Sequence, residues 1–331
     1  MDIPDPAAAP AASGPPVRRS SKVSVIGAGA VGATLAYAAL VRGAAREVAL
    51  FDINKAKVEA EALDIGHGLE FMPMGSIVGS DDINVCAGSD IIVVTAGAKQ
   101  QPGQSRLELA GSTIGMMRKI VPGLLDVAPD ATYIMVSNPV DVVTYVSLKI
   151  SGLPPNQLFG SGTVLDSSRL RYLLALKTGV AVQNVHAYMV GEHGDTEFPL
   201  WSSASIASIP LRDWTKVGPT SLTSDDRDTI ANEVVNAAYT IIAGKGATNY
   251  AVALAGSRII EAVLRDESRV LPVSSLLNDY HGVSDVCLSV PSIVGGRGMH
   301  GALKVPMDDF EVTRLQASAE KVRQIANQFG F

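Results

Sequence analysis

The densest group of reactive side chains in this 331-residue sequence is Gly191-Glu192-His193-Gly194-Asp195. His193 stands between small and charged residues just past an apolar run, in a loop able to present its ring to a ligand. Its ordinary pKa suits proton exchange near neutrality, which makes it the candidate acid/base. Asp166 and Arg169, in Val164-Leu165-Asp166-Ser167-Ser168-Arg169, are three residues apart. On a helix that spacing puts both on one face. An exposed ion pair would contribute only ~0.3–0.5 kcal/mol and carry no function. The apolar residues flanking this pair argue instead that the face is partly buried. His67 reads as structural, and His281 and His300 have no evident partners. No histidine–carboxylate spacing suggests a metal.

A second cluster is Gly27-Ala28-Gly29-Ala30-Val31-Gly32, a G-x-G-x-x-G between an apolar strand and an apolar-faced helix. Gly27 permits a tight turn, Gly29 lets the backbone approach a pyrophosphate, and Gly32 allows the helix to pack closely on the strand. The hexapeptide alone is weak, but Asp52 ends the next strand twenty residues after Gly32. A carboxylate there accepts hydrogen bonds from a ribose diol and repels a 2′-phosphate, so NAD is favoured over NADP.

The elements that must position these groups follow from hydrophobic patterning. Short apolar runs at Val23–Ile26, Glu47–Phe51, Ile91–Thr95 and Tyr133–Val136 alternate with helical patterns at Ala30–Val41 and about Asn54–Glu70. That is the signature of two βαβ halves around a parallel sheet. After about Gly162 longer helices appear, at Asp225–Ala243 and Asp308–Phe329, with sheet-like segments such as Val286–Val294 between them. The expected fold is therefore α/β: a Rossmann-type doubly wound parallel sheet plus a mixed α+β catalytic domain. The expected organisation is a disordered Ala/Pro-rich tail over residues 1–20, an NAD-binding domain over 21–162 and a catalytic or substrate domain over 163–331. A helix over about 247–266 is expected to pack back on the NAD domain.

Composition narrows the function classes. The chain is 47% hydrophobic and 18% charged, as a protein with a sizeable core should be. Its net charge of −6 and the absence of a basic cluster interleaved with aromatics argue against nucleic acid. No apolar run reaches the ~18 residues needed to cross a bilayer. Cys86 and Cys287 could form one disulfide at most and make no C-x-x-C pattern, so a reducing cytoplasm is the expected location.

Several separated motifs, GAGAVG, TAGAKQQPGQSR, VSNPVD, GTVLDSSRLR and GEHGDTEFP, occur in an order that resembles the L-lactate/L-malate dehydrogenase family over about Ser21 to Phe331. The resemblance implies NAD-dependent interconversion of a 2-oxo acid and an L-2-hydroxy acid. It implies that His193 is the proton donor and acceptor, that Asp166 orients its imidazolium, and that Arg169 binds the substrate carboxylate. It places Arg106 in a mobile lid, where its guanidinium would polarise the keto oxygen. Asn138 is similar to an asparagine that hydrogen-bonds in the family's active site beside the cofactor, and Thr248 to a pocket threonine near substrate. An NAD-binding protein without turnover is the competing class, and the presence of Arg106, Asp166, Arg169 and His193 together argues against it.

Six residues before Arg106, where malate-specific members carry an arginine, stands Gln100. A neutral amide there leaves the second carboxylate of oxaloacetate without a counter-ion in a closed pocket, a penalty of several kcal/mol. Pyruvate makes no such demand, so pyruvate/L-lactate is the expected pair and malate the alternative, with Lys99 the residue that could compensate. Arg171, two residues past Arg169, points roughly 200° away from it on a helix. With His186 it matches the family's fructose 1,6-bisphosphate site, which implies a homotetramer activated by that sugar.

Overall fold

The computed structural model describes residues 20–97 and 106–331, except the side chain of Arg106. The expectations for the tail, Lys99 and Gln100 fall outside these residues. The strands in chain order are β1 (Lys22–Ile26), β2 (Glu47–Phe51), β3 (Ser76–Ser80), β4 (Ile91–Val94), β5 (Thr132–Met135), β6 (Leu158–Gly160), β7 (Val185–His186), β8 (Met189–Val190), β9 (Phe198–Pro199), β10 (Ser205–Ile206), β11 (Ile209–Pro210), β12 (Arg269–Leu276), β13 (Cys287–Gly295) and β14 (Gly298–Ala302). The helices are α1 (Ala30–Val41), α2 (Lys55–His67), α3 (Arg106–Val127), α4 (Val140–Ser151), α5 (Val164–Thr178), α6 (Trp214–Val217), α7 (Ser224–Lys245), α8 (Tyr250–Leu264) and α9 (Asp309–Gln328).

The strands β3-β2-β1-β4-β5-β6 pair in parallel in that order. This is the doubly wound arrangement, with the strand order reversing between β1 and β4. Their apolar runs are continuous because both faces are covered. Val23, Val25, Ile91 and Val93 face one core with Leu35, Ile259 and Ile260 of α1 and α8. Ile26, Ile92 and Val94 face the other, with Met117 and Leu124 of α3 and Val143 of α4. The sheet does not stop at residue 162. Ser274 of β12 pairs antiparallel with Gly160 of β6, and β13 and β14 extend the same sheet to nine strands. The second half of the chain thus shares its central sheet with the first.

The helix expected over 247–266 begins at Tyr250, because Gly246 ends α7 in the left-handed conformation (φ 81°) and Asn249 forms the next N-cap position. Thr248 accordingly lies in the turn between α7 and α8. The α8 helix packs against α1. Arg42 donates two hydrogen bonds to the buried Glu261 carboxylate at 2.8–2.9 Å, and a side chain at Gly256 would strike Leu35. Cys86 and Cys287 are both buried and free. No described helix is long and apolar enough to cross a membrane.

The carboxyl ends of β1, β4, β5 and β6 open toward one crevice, the usual ligand position in such sheets. At Gly32 a Cβ would collide with the carbonyl oxygen of Gly27, so the turn and helix can only approach as they do without a side chain. Gly32→Ala is expected to lower unfolding free energy by about 1–3 kcal/mol, the usual cost of overpacking, measured by urea denaturation.

Candidate active site

The first wall of the crevice comes from β1 and α1. Gly27 turns at φ 103° and its N–H donates to the Phe51 carbonyl at 2.7 Å. Gly29 occupies the N-cap of α1 without any side-chain cap, and a Cβ there would meet nothing within 4 Å. An uncapped first turn beside open space fits an anionic pyrophosphate, which the helix N-terminus favours electrostatically. Asp52 follows β2, and one carboxylate oxygen accepts the Ala28 N–H at 2.7 Å while the other accepts the Asn54 N–H at 2.9 Å. The carboxylate is thereby fixed beside the glycine turn, with lone pairs remaining for a ribose hydroxyl.

The second wall is built on α5. Its first turn carries Asp166, only 1% exposed, and one turn later Arg169, whose Nη1 donates to Asp166 Oδ1 at 2.7 Å. The other Asp166 oxygen lies 2.7 Å from His193 Nδ1. The loop bearing His193 is anchored twice. Gly191 exchanges two backbone hydrogen bonds with Ser289 at 3.0 Å, and the His193 N–H donates to Asp141 Oδ2 at 2.7 Å. With Nδ1 committed to Asp166, Nε2 is the nitrogen left for a ligand.

His193, Asp166, Arg169, Asn138 and Gly194 line one cavity of about 160 Å³, closed by Leu109 of α3 and by Val235, Ala238, Tyr239 and Ile242 of α7. Asn138 precedes a cis peptide bond to Pro139, and its carbonyl accepts the Thr113 hydroxyl at 3.2 Å. Thr248 is half-buried in its turn and is not among the residues lining this cavity. Arg106 opens α3. Arg171 leaves α5 on the opposite side from Arg169. Its Nε donates to the Ala187 carbonyl at 2.9 Å, and its guanidinium stacks on Tyr188. Arg171 and His186 line a second, larger cavity with Arg42, Arg258 and Arg269.

Sequence reasoning passed over Glu197, which the structure puts in the same cavity as His193, Asp166 and Arg169. It is 3% exposed, and its Oε2 lies 3.6 Å from His193 Nδ1. The signal was present in the quoted GEHGDTEFP, where Glu197 follows His193 by four residues, but no secondary-structure period connects two residues in a loop. Asp166, His193 and Glu197 bring ligand-type atoms within 4.8 Å of one another. The Arg169 guanidinium already occupies the cationic position against Asp166. The apolar face of α7 was likewise legible only as a helix, not as a cavity wall.

The charges in this site govern one another. Burial would drive the His193 proton off, but ionised Asp166 and the nearby Glu197 outweigh it and hold the imidazole pKa well above its usual value. Burial also disfavours ionised Asp166, yet the charges of His193 and Arg169 overcome this and keep its pKa below the ordinary carboxylate value. Burial and the Asp166 charge push Glu197 up to about 7. Asp141, fully enclosed behind the loop, is pushed by burial to about 6.

Comparison with known proteins agrees with the geometry. Residues 21–160 match the lactate/malate dehydrogenase NAD-binding domain, and residues 163–329 match the lactate/malate dehydrogenase alpha/beta C-terminal domain. The chain is 56% identical over 314 residues to an L-lactate dehydrogenase of Bifidobacterium animalis subsp. lactis (strain AD011), covering 95% of this chain and 98% of that one. It is 46% identical over 308 residues to an L-lactate dehydrogenase of Thermoanaerobacter sp. (strain X514), covering 93% and 99%. A lactate dehydrogenase from a Medee basin deep-sea metagenome library superposes with a TM-score of 0.91 at 36% identity, over 95% of this chain and 100% of that chain. The minor L-lactate dehydrogenase of Enterococcus mundtii, in a ligand-bound form, gives 0.90 at 36% identity, over 93% and 98%.

Because folding raises the His193 pKa, its protonation stabilises the fold fully below the unfolded value of ~6.5, and this contribution is lost as pH rises through the folded value. Asp166→Asn removes the main charge responsible. The His193 titration, followed by NMR, should move to lower pH, and an unmoved titration would show that Asp166 is not the charge that raises it.

Proposed function

The chain belongs to the lactate/malate dehydrogenase family and is an NAD-dependent oxidoreductase with L-lactate dehydrogenase function, and on that premise we propose how its own residues reduce pyruvate. The observation that carries the proposal is the convergence of His193, Asp166 and Arg169 on one cavity. His193 holds a proton at Nε2 and gives it to the keto oxygen of pyruvate, taking it back when L-lactate is oxidised. Asp166 fixes the tautomer and favours the imidazolium. Arg169 keeps one nitrogen on Asp166 and turns the remaining guanidinium edge to the substrate carboxylate, a planar fork that lysine cannot reproduce. NADH, when bound along the glycine turn and Asp52, supplies the hydride that arrives at the same carbonyl carbon.

In this reading Asn138 donates a hydrogen bond at the cavity mouth, between substrate and cofactor. Arg106, at the first residue of α3, brings a second guanidinium to the polarising oxygen. Gln100 selects pyruvate over oxaloacetate by withholding a counter-ion from a second carboxylate. A role for Thr248 would require the turn after α7 to approach the substrate. Two buried free thiols suit a reducing cytoplasm.

Regulation is part of the same proposal. The cavity lined by Arg171 and His186 also presents Arg42, Arg258 and Arg269, a set of cations suited to sugar phosphates. We assign it to fructose 1,6-bisphosphate, bound across a two-fold interface of a homotetramer. Of these cations, Arg42 and Arg258 already pair with Glu261, so the effector would compete with or extend an existing network.

The test is steady-state NADH oxidation with pyruvate and with oxaloacetate, each with and without fructose 1,6-bisphosphate. Pyruvate is expected to be preferred, and the bisphosphate to raise its apparent affinity. Arg169→Lys should raise KM for pyruvate roughly 10–100-fold, the equivalent of one charged hydrogen bond of ~1.5–3 kcal/mol. His193→Asn should lower kcat by about 10²–10⁴-fold. Preference for oxaloacetate would replace the pyruvate assignment with malate, and an unchanged pyruvate affinity and quaternary state would remove the effector site.

A further inference from the structure

Glu197 is a buried carboxyl that the hydride-transfer chemistry does not use. Its Oε2 is shielded from solvent and has no hydrogen-bond partner among the described residues, although it lies 3.6 Å from His193 Nδ1. That nitrogen has one hydrogen, and the shorter contact of 2.7 Å gives it to Asp166. An ionised Glu197 is therefore a buried charge on the wall of the cavity that receives the substrate, without a hydrogen bond to its Oε2 and held only by the longer-range charges of His193 and Arg169, which burial and Asp166 outweigh.

The groups facing Glu197 define what that charge does. From α5 come Asp166 and Arg169; from its own loop comes His193, with Asp141 of α4 behind the His193 backbone. Glu192 and Asp195 of the loop are turned toward Thr196 and the Tyr239 hydroxyl respectively. Arg314 of α9 donates to the Glu197 main-chain carbonyl at 3.3 Å and stacks on Phe198, leaving the carboxyl to the cavity. Apart from Tyr239, α7 offers only Val235, Ala238 and Ile242. Among the described side chains, with His193 and Arg169 positive and Asp166 negative, a neutral Glu197 leaves one net positive charge for a monocarboxylate, before the Arg106 assigned to the keto oxygen is added. An ionised Glu197 cancels it.

We propose that Glu197 takes up a proton from solvent when a monoanionic substrate docks on Arg169, so that the described side chains of the cavity change from electrically balanced when empty to singly positive when it binds. The inference rests on the assignment of this cavity to a 2-oxo acid and deepens it: substrate binding is linked to a protonation separate from the one His193 transfers. Burial and the Asp166 charge already hold Glu197 near pH 7, so an incoming carboxylate raises it further and draws the proton in.

The experiment uses the enzyme–NADH complex at pH 8 and oxamate, an unreactive monocarboxylate of pyruvate's shape. Proton uptake on binding is measured in weakly buffered solution, and the infrared difference spectrum is searched for the carbonyl stretch of a newly protonated carboxyl. The wild-type protein should take up a substantial fraction of one proton and gain that band. Glu197→Gln should lose the band and the matching part of the uptake. Glu197→Met, apolar and of similar length, serves the same purpose should the amide disturb folding. Oxamate affinity in the wild-type protein should fall up to tenfold per pH unit above about 7, the limit for one linked proton. A band that is absent from the wild-type protein, or that persists in both variants, overturns the inference while leaving the cavity assignment intact. Failure of oxamate to bind, or binding indifferent to Arg169→Lys, overturns both.

Discussion

The structure depends on keeping one ionised carboxylate, Asp166, out of water. At 1% exposure it is tolerable only because both of its oxygens meet positive partners, Arg169 Nη1 and His193 Nδ1, each at 2.7 Å. Removing either partner would leave an uncompensated buried charge, which is far more costly than the loss of a surface ion pair. The same requirement fixes the chemistry. It commits one face of Arg169 and one nitrogen of His193 inward, leaving the other guanidinium edge and Nε2 to face a common cavity. Stability of the pair and orientation of the groups proposed to act on substrate are thus one constraint.

The scaffold around this pair explains why it can be held so closely. Asp166 and Arg169 sit in the first two turns of α5, which leaves the sheet directly after β6. His193 comes from a loop that would otherwise be free. It is fixed by the backbone exchange between Gly191 and Ser289 of β13 and by the acceptance of its own N–H by Asp141 of α4. Since β13 lies two strands beyond β6 in one continuous sheet, the two halves of the chain cannot shift without straining the His193 loop. The α5 helix also faces two ways, with Arg169 in the His193 cavity and Arg171 in the larger basic cavity. A single rigid element therefore touches both, the kind of physical continuity through which occupancy of one cavity can bias the other.

The four carboxyls near His193 illustrate how environment, rather than residue type, assigns function. Asp166 is held ionised by two adjacent cations. Glu197 and Asp141, with burial outweighing their polar neighbours, are pushed toward neutrality. Glu192 is instead occupied by the Thr196 hydroxyl. Three of these carboxyls lie within residues 166–197, and only the tertiary arrangement separates their roles.

Much of this protein was legible in the sequence. The glycine turn, Asp52 and the apolar strand runs identify a dinucleotide-type α/β fold, because turn chemistry and hydrophobic period are local properties. The pairing of Asp166 with Arg169 was readable for the same reason, since helix geometry brings residues three apart together. The sequence could not place Thr248, whose turn is set by the left-handed cap at Gly246, nor reveal that β12–β14 continue the first half's sheet. It named Glu197 within a motif without giving it a neighbour. Contacts between residues far apart in the chain, such as Asp141 with His193, depend on the packing of separate elements and leave no periodic trace. The sequence by itself determined which chemical groups are present and the local frames that carry them. The tertiary structure decided which carboxyls stay charged, because that depends on distance and desolvation rather than on order along the chain.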